Sequence, residues 1–148
     1  MKETYPKIYL CQRIVQAKLF MDAHFGERID LDNIADEACF SKFHFIRLFK
    51  SIYGSTPHHY LKNVRLEKAK LFLQEGLPVT EACYKVSFDS ASSFAGLFRR
   101  HTGLSPSAYR QRQLLRQQQL KAAPLSFVPA CFAYQKGWLQ KSNFEEVS

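Results

Sequence analysis

Residues 41–60 read SKFHFIRLFKSIYGSTPHHY, and residues 90–109 read SASSFAGLFRRHTGLSPSAY. Set against each other at an offset of 49, Phe45 meets Phe94, Leu48 meets Leu97, and Phe49 meets Phe98. Gly54 then meets Gly103, Pro57 meets Pro106, and Tyr60 meets Tyr109. The chain therefore holds two copies of one unit. In the first copy Phe45, Leu48, Phe49 and Ile52 fall at i, i+3, i+4 and i+7, the spacing of a helix with one face against a core. Ser41 is placed to cap that helix, Ser41 to about Tyr53, and Gly54 to stop it. Thr56 and Pro57 start the next helix as N-cap and first residue.

Working outward, Lys7 to about His24 reads as a first helix ended by Gly26, with Ile14, Ala17, Leu19, Phe20 and Met21 as most of its apolar side. Asp32 is a candidate N-cap for a short second helix to about Ala38, and Cys39 and Phe40 turn the chain. The helix opened by Pro57 runs to Glu75, nineteen residues, with Gly76 beyond it. Its length is about 28 Å. In the second copy Thr80 is read as the cap of a fifth helix, Glu81 to Val86, and Ser87 and Phe88 turn the chain. Asp89 or Ser90 opens a sixth helix, and Ser105 with Pro106 opens a seventh that continues through the Gln-rich stretch. The expected fold is all-α: two helix-turn-helix subdomains joined by a long linker helix, about seven helices, plus a C-terminal tail. In DNA-binding versions of this motif the second helix enters the major groove. A linker of about 28 Å could set two such helices about one DNA turn apart, near 34 Å.

The chain has 148 residues, 21 Lys+Arg against 13 Asp+Glu, a net charge of +8 and a pI near 9.4. Residues 1–40 carry five basic and seven acidic residues, whereas residues 41–144 carry sixteen basic and four acidic, a net of +12. From Ser90 to Phe144 there is no acid at all. A solvated face normally mixes signs, so a one-signed stretch points to a polyanionic partner. No apolar run approaches the roughly 18–20 residues of a membrane span, and Met1 to Lys7 carries no secretory pattern, so a cytoplasmic protein is expected. Cys11, Cys39, Cys83 and Cys131 form no CxxC pair and read as reduced, mostly packed thiols rather than a zinc site or disulfide scaffold. No HExxH, phosphate loop or nucleophile elbow is present, so no metal ligand, cofactor or catalytic residue is assigned.

With Phe45, Leu48, Phe49 and Ile52 assigned inward, the other face of the third helix carries Lys42, Phe43, Ile46, Arg47 and Lys50. Arg can grip guanine bidentately, apolar groups can meet a thymine methyl, and lysines suit phosphates. Packing on a neighbouring helix or the tail is the competing use of Phe43 and Ile46. The sixth helix presents smaller groups on its matching face: Ala91, Ser92, Ala95, Gly96 and Arg99, with Ser93 beside them. Gly96 in mid-helix costs about 1 kcal/mol relative to Ala. That helix reads as the weaker reader, touching phosphate through Ser hydroxyls, Arg99, Arg100 and its first amides.

SKFHFIRLFKSIYGSTPHHYLKNVRLEKAKLFL (residues 41–73) and ACYKVSFDSASSFAGLFRRHTGLSPSAYR (residues 82–110) together resemble the DNA-binding domain of AraC/XylS-type transcription regulators. The Phe-rich third helix, the RLEKAK linker, the Phe-Asp-Ser entry and the Gly-Leu-Ser-Pro-Ser-Ala-Tyr-Arg ending occur in order, within a resemblance over about residues 8–112. It implies seven helices in two helix-turn-helix subdomains. It also implies base contacts from Phe43, Ile46 and Arg47, and a second face of Ser92, Ser93 and Gly96. Domain limits follow: 7–112 for the DNA-binding domain, with 7–55 as the first subdomain, 56–76 as linker and 77–112 as the second. Residues 113–148 remain as a helix extension and apolar tail. The sequence departs from the family where it has Cys39 and Ser87 at turn positions often held by Gly, and where it has Gly96 on the second reading face. With some seven residues ahead of the first helix, it is most similar to short, single-domain members that bind DNA as monomers, so no effector-sensing domain is expected.

Phe127, Val128, Cys131, Phe132, Tyr134, Trp138, Leu139 and Phe144 make the tail too apolar for a disordered linker. It covers the domain, meets another subunit or RNA polymerase, or forms a crude pocket near Trp138. The function expected is a bacterial, sequence-specific, non-enzymatic transcription regulator acting on double-stranded DNA. The alternative is an interaction module that binds a regulator or RNA polymerase without reading DNA itself.

Overall fold

The computed structural model describes residues 4–37 and 41–138. They form helices α1 (Thr4–Ala23), α2 (Leu31–Glu37), α3 (Lys42–Tyr53), α4 (Pro57–Gln74), α5 (Val79–Lys85), α6 (Ala91–Thr102), α7 (Pro106–Ala122) and α8 (Ala130–Gln135), with a 3-10 turn at Pro124–Phe127. No strand occurs among the described residues. The chain divides into two compact units, Met1–Pro106 and Ser107–Ser148.

The duplicated unit is carried by duplicated hydrogen bonds. Ser41 Oγ accepts from the amide of His44 at 3.2 Å, and Ser90 Oγ accepts from the amide of Ser93 at 3.4 Å. Gly54 (φ 77°) and Gly103 (φ 84°) end α3 and α6 in the left-handed region, and their amides donate to Lys50 O and Arg99 O, each at 2.8 Å. Thr56 Oγ1 caps α4 through the His59 amide, with Pro57 as the first residue. At the other end Gly76 (φ 93°) donates to Leu73 O and Leu77 to Phe72 O, a Schellman stop.

The first subdomain closes around Ile14, Ala17 and Met21 of α1, Leu31 and Ala35 of α2, Phe45 and Phe49 of α3, and Leu61 of α4. Phe49 has ring neighbours in Phe45, Tyr53 and Tyr60 at 4.9–6.0 Å. The Tyr60 hydroxyl donates to Asp22 Oδ1 at 2.6 Å, joining α4 to α1. Burial and that carboxylate push the Tyr60 phenol up to about 12. Further along α4, buried Leu66, Ala69 and Leu73 occur at i, i+3 and i+7, and α4 packs on α5 and α6. Ala82, Cys83, Val86, Phe94 and Phe98 are buried in the second subdomain. Glu67 of α4 joins His101 of α6 at 2.7 Å, and that bond with Lys70 nearby holds its carboxyl below the usual range.

Several local expectations are corrected. Ile52 is 39% exposed rather than inward, because the inward stripe of α3 narrows to Phe45 and Phe49 with Leu48 beside them. On α1 the buried stripe is Ile14, Ala17 and Met21 with Leu10 packed alongside, which turns Leu19 and Phe20 outward. The cap of α2 is Asp30, whose Oδ1 accepts from the amides of Asp32 and Asn33 at 2.9 and 3.3 Å. Thr80 lies inside α5, which starts from Pro78 without a side-chain cap. Of the described cysteines only Cys83 is buried, and Cys11 and Cys131 are exposed. The turn expected at Cys39 and Phe40 lies outside the described residues, as do Leu139 and Phe144.

Ser87 takes the left-handed conformation (φ 59°) that the family pattern implies for a glycine. Its amide donates to Tyr84 O at 2.9 Å and that of Phe88 to Cys83 O at 3.2 Å, so the turn keeps its geometry despite the side chain. Ser87→Gly should remove that strain and stabilise the chain by about 0.5–1 kcal/mol, read as a rise in Tm on thermal unfolding. A fall in Tm would contradict it. Phe49→Ala should cost about 3–5 kcal/mol, while Ile52→Ala should cost less than about 1 kcal/mol. Denaturant unfolding separates these from an inward Ile52, which would cost as much as a core residue.

Candidate nucleic-acid interface

The capped start of α3 and the burial of Phe45 and Phe49 leave the opposite side of that helix in solvent. Phe43 is 75% exposed, and Lys42, Arg47 and Lys50 are exposed around it. Ile46 is half-buried at the edge of the same face. A phenylalanine so exposed among cations leaves most of its ring area in water, an unfavourable arrangement that a covering partner removes. Lys42 is held by α2: its Nζ lies 3.1 Å from Asp32 Oδ1. That ion pair is half-exposed and exchangeable, so Lys42 can leave it for a phosphate at little cost. Asp32 is available for it because Asp30, not Asp32, caps α2. Arg28, Asp30, Asp32, Lys42 and His58 border one open cleft beside the start of α3, which mixes both signs of charge.

On α6 the seven candidate positions divide. Ser92, Ser93, Gly96, Arg99 and Arg100 are exposed, and so is Ala91, while Ala95 is half-buried. Ser90 Oγ, which caps the helix, also shares a hydrogen bond with Ser92 Oγ at 2.8 Å. A Cβ on Gly96 would meet nothing within 4 Å, so the fold does not require glycine there. What Gly96 changes is the outer surface, which is lowered to bare backbone between Ser92 and Arg99. Arg99, Arg100 and His101 occupy the last turn, where cations suit the helix dipole.

The two faces thus differ in chemistry. The α3 face offers one planar bidentate donor, two long cations and apolar groups. The α6 face offers hydroxyls, backbone and a basic end. Neither contains a cluster of ligating side chains, and no group of three or more His, Cys, Asp or Glu residues converges on one point among the described residues. No helix among them is long and apolar enough to cross a membrane. One important residue had no signal of its own in the sequence: Arg65 lies in the middle of α4, and its Nε and Nη2 donate to Phe25 O and Glu27 O, each at 3.0 Å.

Residues 34–112 match the family profile of a helix-turn-helix domain. The chain is 34% identical over 98 residues to the HTH-type transcriptional activator AarP of Providencia stuartii, covering 66% of this chain and 73% of that protein. It is 36% identical over 94 residues to the MmsAB operon regulatory protein of Pseudomonas aeruginosa, covering 63% of this chain and 31% of that protein. The chain thus spans about a third of the length of that longer regulator. Among solved structures, the DNA-binding domain of AdpA in complex with a target DNA is similar, with a TM-score of 0.68 and 31% identity over 72% of this chain and 96% of that one. The paired, linker-joined helix-turn-helix units and these likenesses agree: the chain belongs to the AraC-type helix-turn-helix family of DNA-binding transcription regulators.

Proposed function

We propose that α3 lies in the major groove of a specific operator, with Arg47 gripping a base edge and Phe43 and Ile46 against thymine methyls. The observation that carries this is the 75% exposure of Phe43 between Lys42, Arg47 and Lys50. Bases are the surface that accepts an apolar ring and a bidentate cation side by side. Lys42, Lys50, Arg99 and Arg100 neutralise phosphates. The α6 face reads less: its bare centre at Gly96 lets the backbone come close, and Ser92 and Ser93 hydrogen-bond to phosphate or to base edges that tolerate a hydroxyl. The α4 helix of 18 residues is about 27 Å long, which suits reading heads placed about one turn of DNA apart.

In this reading the DNA-binding domain is residues 7–112, a span whose end coincides with that of the family match. It acts in the cytoplasm as a monomer on DNA, because its two unlike faces suit an asymmetric site better than an inverted repeat. It needs no catalytic group. RNA polymerase is the protein partner of a DNA-bound activator, and the exposed Phe127, Phe132, Tyr134 and Trp138 of the second compact unit support a protein contact there.

Selection of preferred sites from random duplex DNA supplies the operator on which two substitutions separate the roles. Arg47→Ala should cost about 1–3 kcal/mol on the selected site and little on random DNA. Equal losses on both would remove Arg47 from base reading. Lys50→Ala should weaken binding to all sequences alike and lower the slope of log affinity against log salt by about 1. A loss confined to the selected site would assign Lys50 to a base instead.

A further inference from the structure

The two helix-turn-helix subdomains are joined by α4, and a single helix leaves them free to twist and bend relative to each other. The structure adds a second connection. The loop after α1, residues 24–30, runs against the turn between α5 and α6. A Cβ on Gly26 would sit 2.7 Å from Lys85 O, the backbone at the end of α5, so the two main chains are in direct contact there. Phe25 packs near Phe72 of α4, centroids 6.4 Å apart, and each ring is covered by a lysine: Lys68 Nζ 5.5 Å from Phe25 and Lys85 Nζ 5.2 Å from Phe72. Lys85 thereby ties α5 to the linker beside the same loop.

Arg65 holds this arrangement together. Its guanidinium donates to the carbonyls of Phe25 and Glu27, fixing the loop onto α4. Burial lowers the Arg65 guanidinium from its ordinary pKa, and the charge of Asp89, on the turn before α6, opposes that fall. Asp89 also meets Arg28 of the loop, Oδ1 to Nη2, at 3.2 Å. That exposed pair contributes little by itself. Its importance is where it lies: one end belongs to the first subdomain and the other to the turn that opens the second reading helix. Two connections, the linker and this latch, remove the rotation that one connection leaves.

We propose that the contact of the Phe25–Arg28 loop with the Lys85–Asp89 turn, held by Arg65, fixes the relative rotation of α3 and α6 and so sets the spacing of the two operator segments. Arg65 and Gly26 are positioning residues: neither lies on a reading face. One base pair of B-DNA changes separation by about 3.4 Å and rotation by about 35°. A latched pair of readers cannot follow such a change, whereas a hinged pair can. The proposal rests on the major-groove reading above.

The test has two arms, both on the full chain. Spin labels carried by unnatural residues at Gln16 of α1 and Glu81 of α5, both exposed, report the subdomain distance without DNA. The parent should give one narrow distance distribution. Arg65→Ala should broaden it, Gly26→Ala should shift it, and Arg65→Lys, which keeps the charge and loses the fork, should fall between parent and Arg65→Ala. In the second arm, sites are selected from random duplex DNA. The parent should return two submotifs at one separation and lose about tenfold in affinity when one base pair is inserted between them. Arg65→Ala should return the same submotifs at several separations and lose less than about threefold on the same insertion. Unchanged spacing preference in Arg65→Ala and Gly26→Ala overturns the proposal, with Arg65→Lys deciding if Arg65→Ala does not fold. If the parent selects no sequence, base reading itself falls, and equal label distances in parent and variants then overturn the latch separately.

Discussion

Each half of the duplicated unit must bury two phenylalanines one helical turn apart, Phe45 with Phe49 and Phe94 with Phe98, and much else follows from that. All four are at most 1% exposed. Fixing two residues at i and i+4 fixes the rotation of a helix about its own axis, because they define one stripe of its surface. Once that stripe is inward, Phe43, Arg47 and Lys50 in one half and Ser92, Gly96 and Arg99 in the other have nowhere to go but outward. The caps then fix the ends. Ser41 and Ser90 set where each reading helix starts, and Gly54 and Gly103 set where it stops, through bonds of the same kind at equivalent positions. The reading faces are a consequence of core packing and capping together.

The parts of this architecture that are local in the chain were legible in its sequence. The repeat at an offset of 49, the caps at Ser41, Thr56 and Ser90, the stops at Gly54 and Gly103, Pro57 and the two phenylalanine pairs depend on neighbours within one turn, so residue spacing suffices. Errors arose where two local solutions compete or where a distant element decides. Asp30 and Asp32 are both able to cap α2, and the choice of Asp30 leaves Asp32 for Lys42. Ile52 continues the apolar spacing of α3 but lies beyond the reach of the core. Leu19, Phe20 and Cys11 are apolar residues that α1 cannot bury, since its inward stripe is only as wide as the groove that receives it. The exposure of the candidate residues on α3 could be read from periodicity. The role of Arg65 could not, because its partners are backbone carbonyls 38 and 40 positions away.

Charge gains meaning only after the fold is known. The whole chain carries +8, yet the stretch from Ser90 to Phe144 has no acidic residue and the first forty residues are net acidic. The acids that the structure describes are largely occupied with architecture. Asp22 serves Tyr60 and Lys18, Asp30 caps α2, and Glu67 ties α4 to α6. Among the described residues, Lys42 is the one cation of these faces that is paired with a carboxylate. A division in which carboxylates hold the scaffold and guanidinium and ammonium groups point outward suits a partner that is itself an array of phosphates.

Phe43 is an apolar ring held in water by the packing behind it, and the proposed major-groove contact would cover it. A thymine-to-uracil scan across the selected operator, in parent and in Phe43→Ala, tests this most directly. Loss of one thymine methyl should weaken the parent by about fourfold, the size expected for one buried carbon. The same change should leave Phe43→Ala unaffected. If every methyl loss were felt equally by both proteins, or none were felt by either, the central claim would be contradicted.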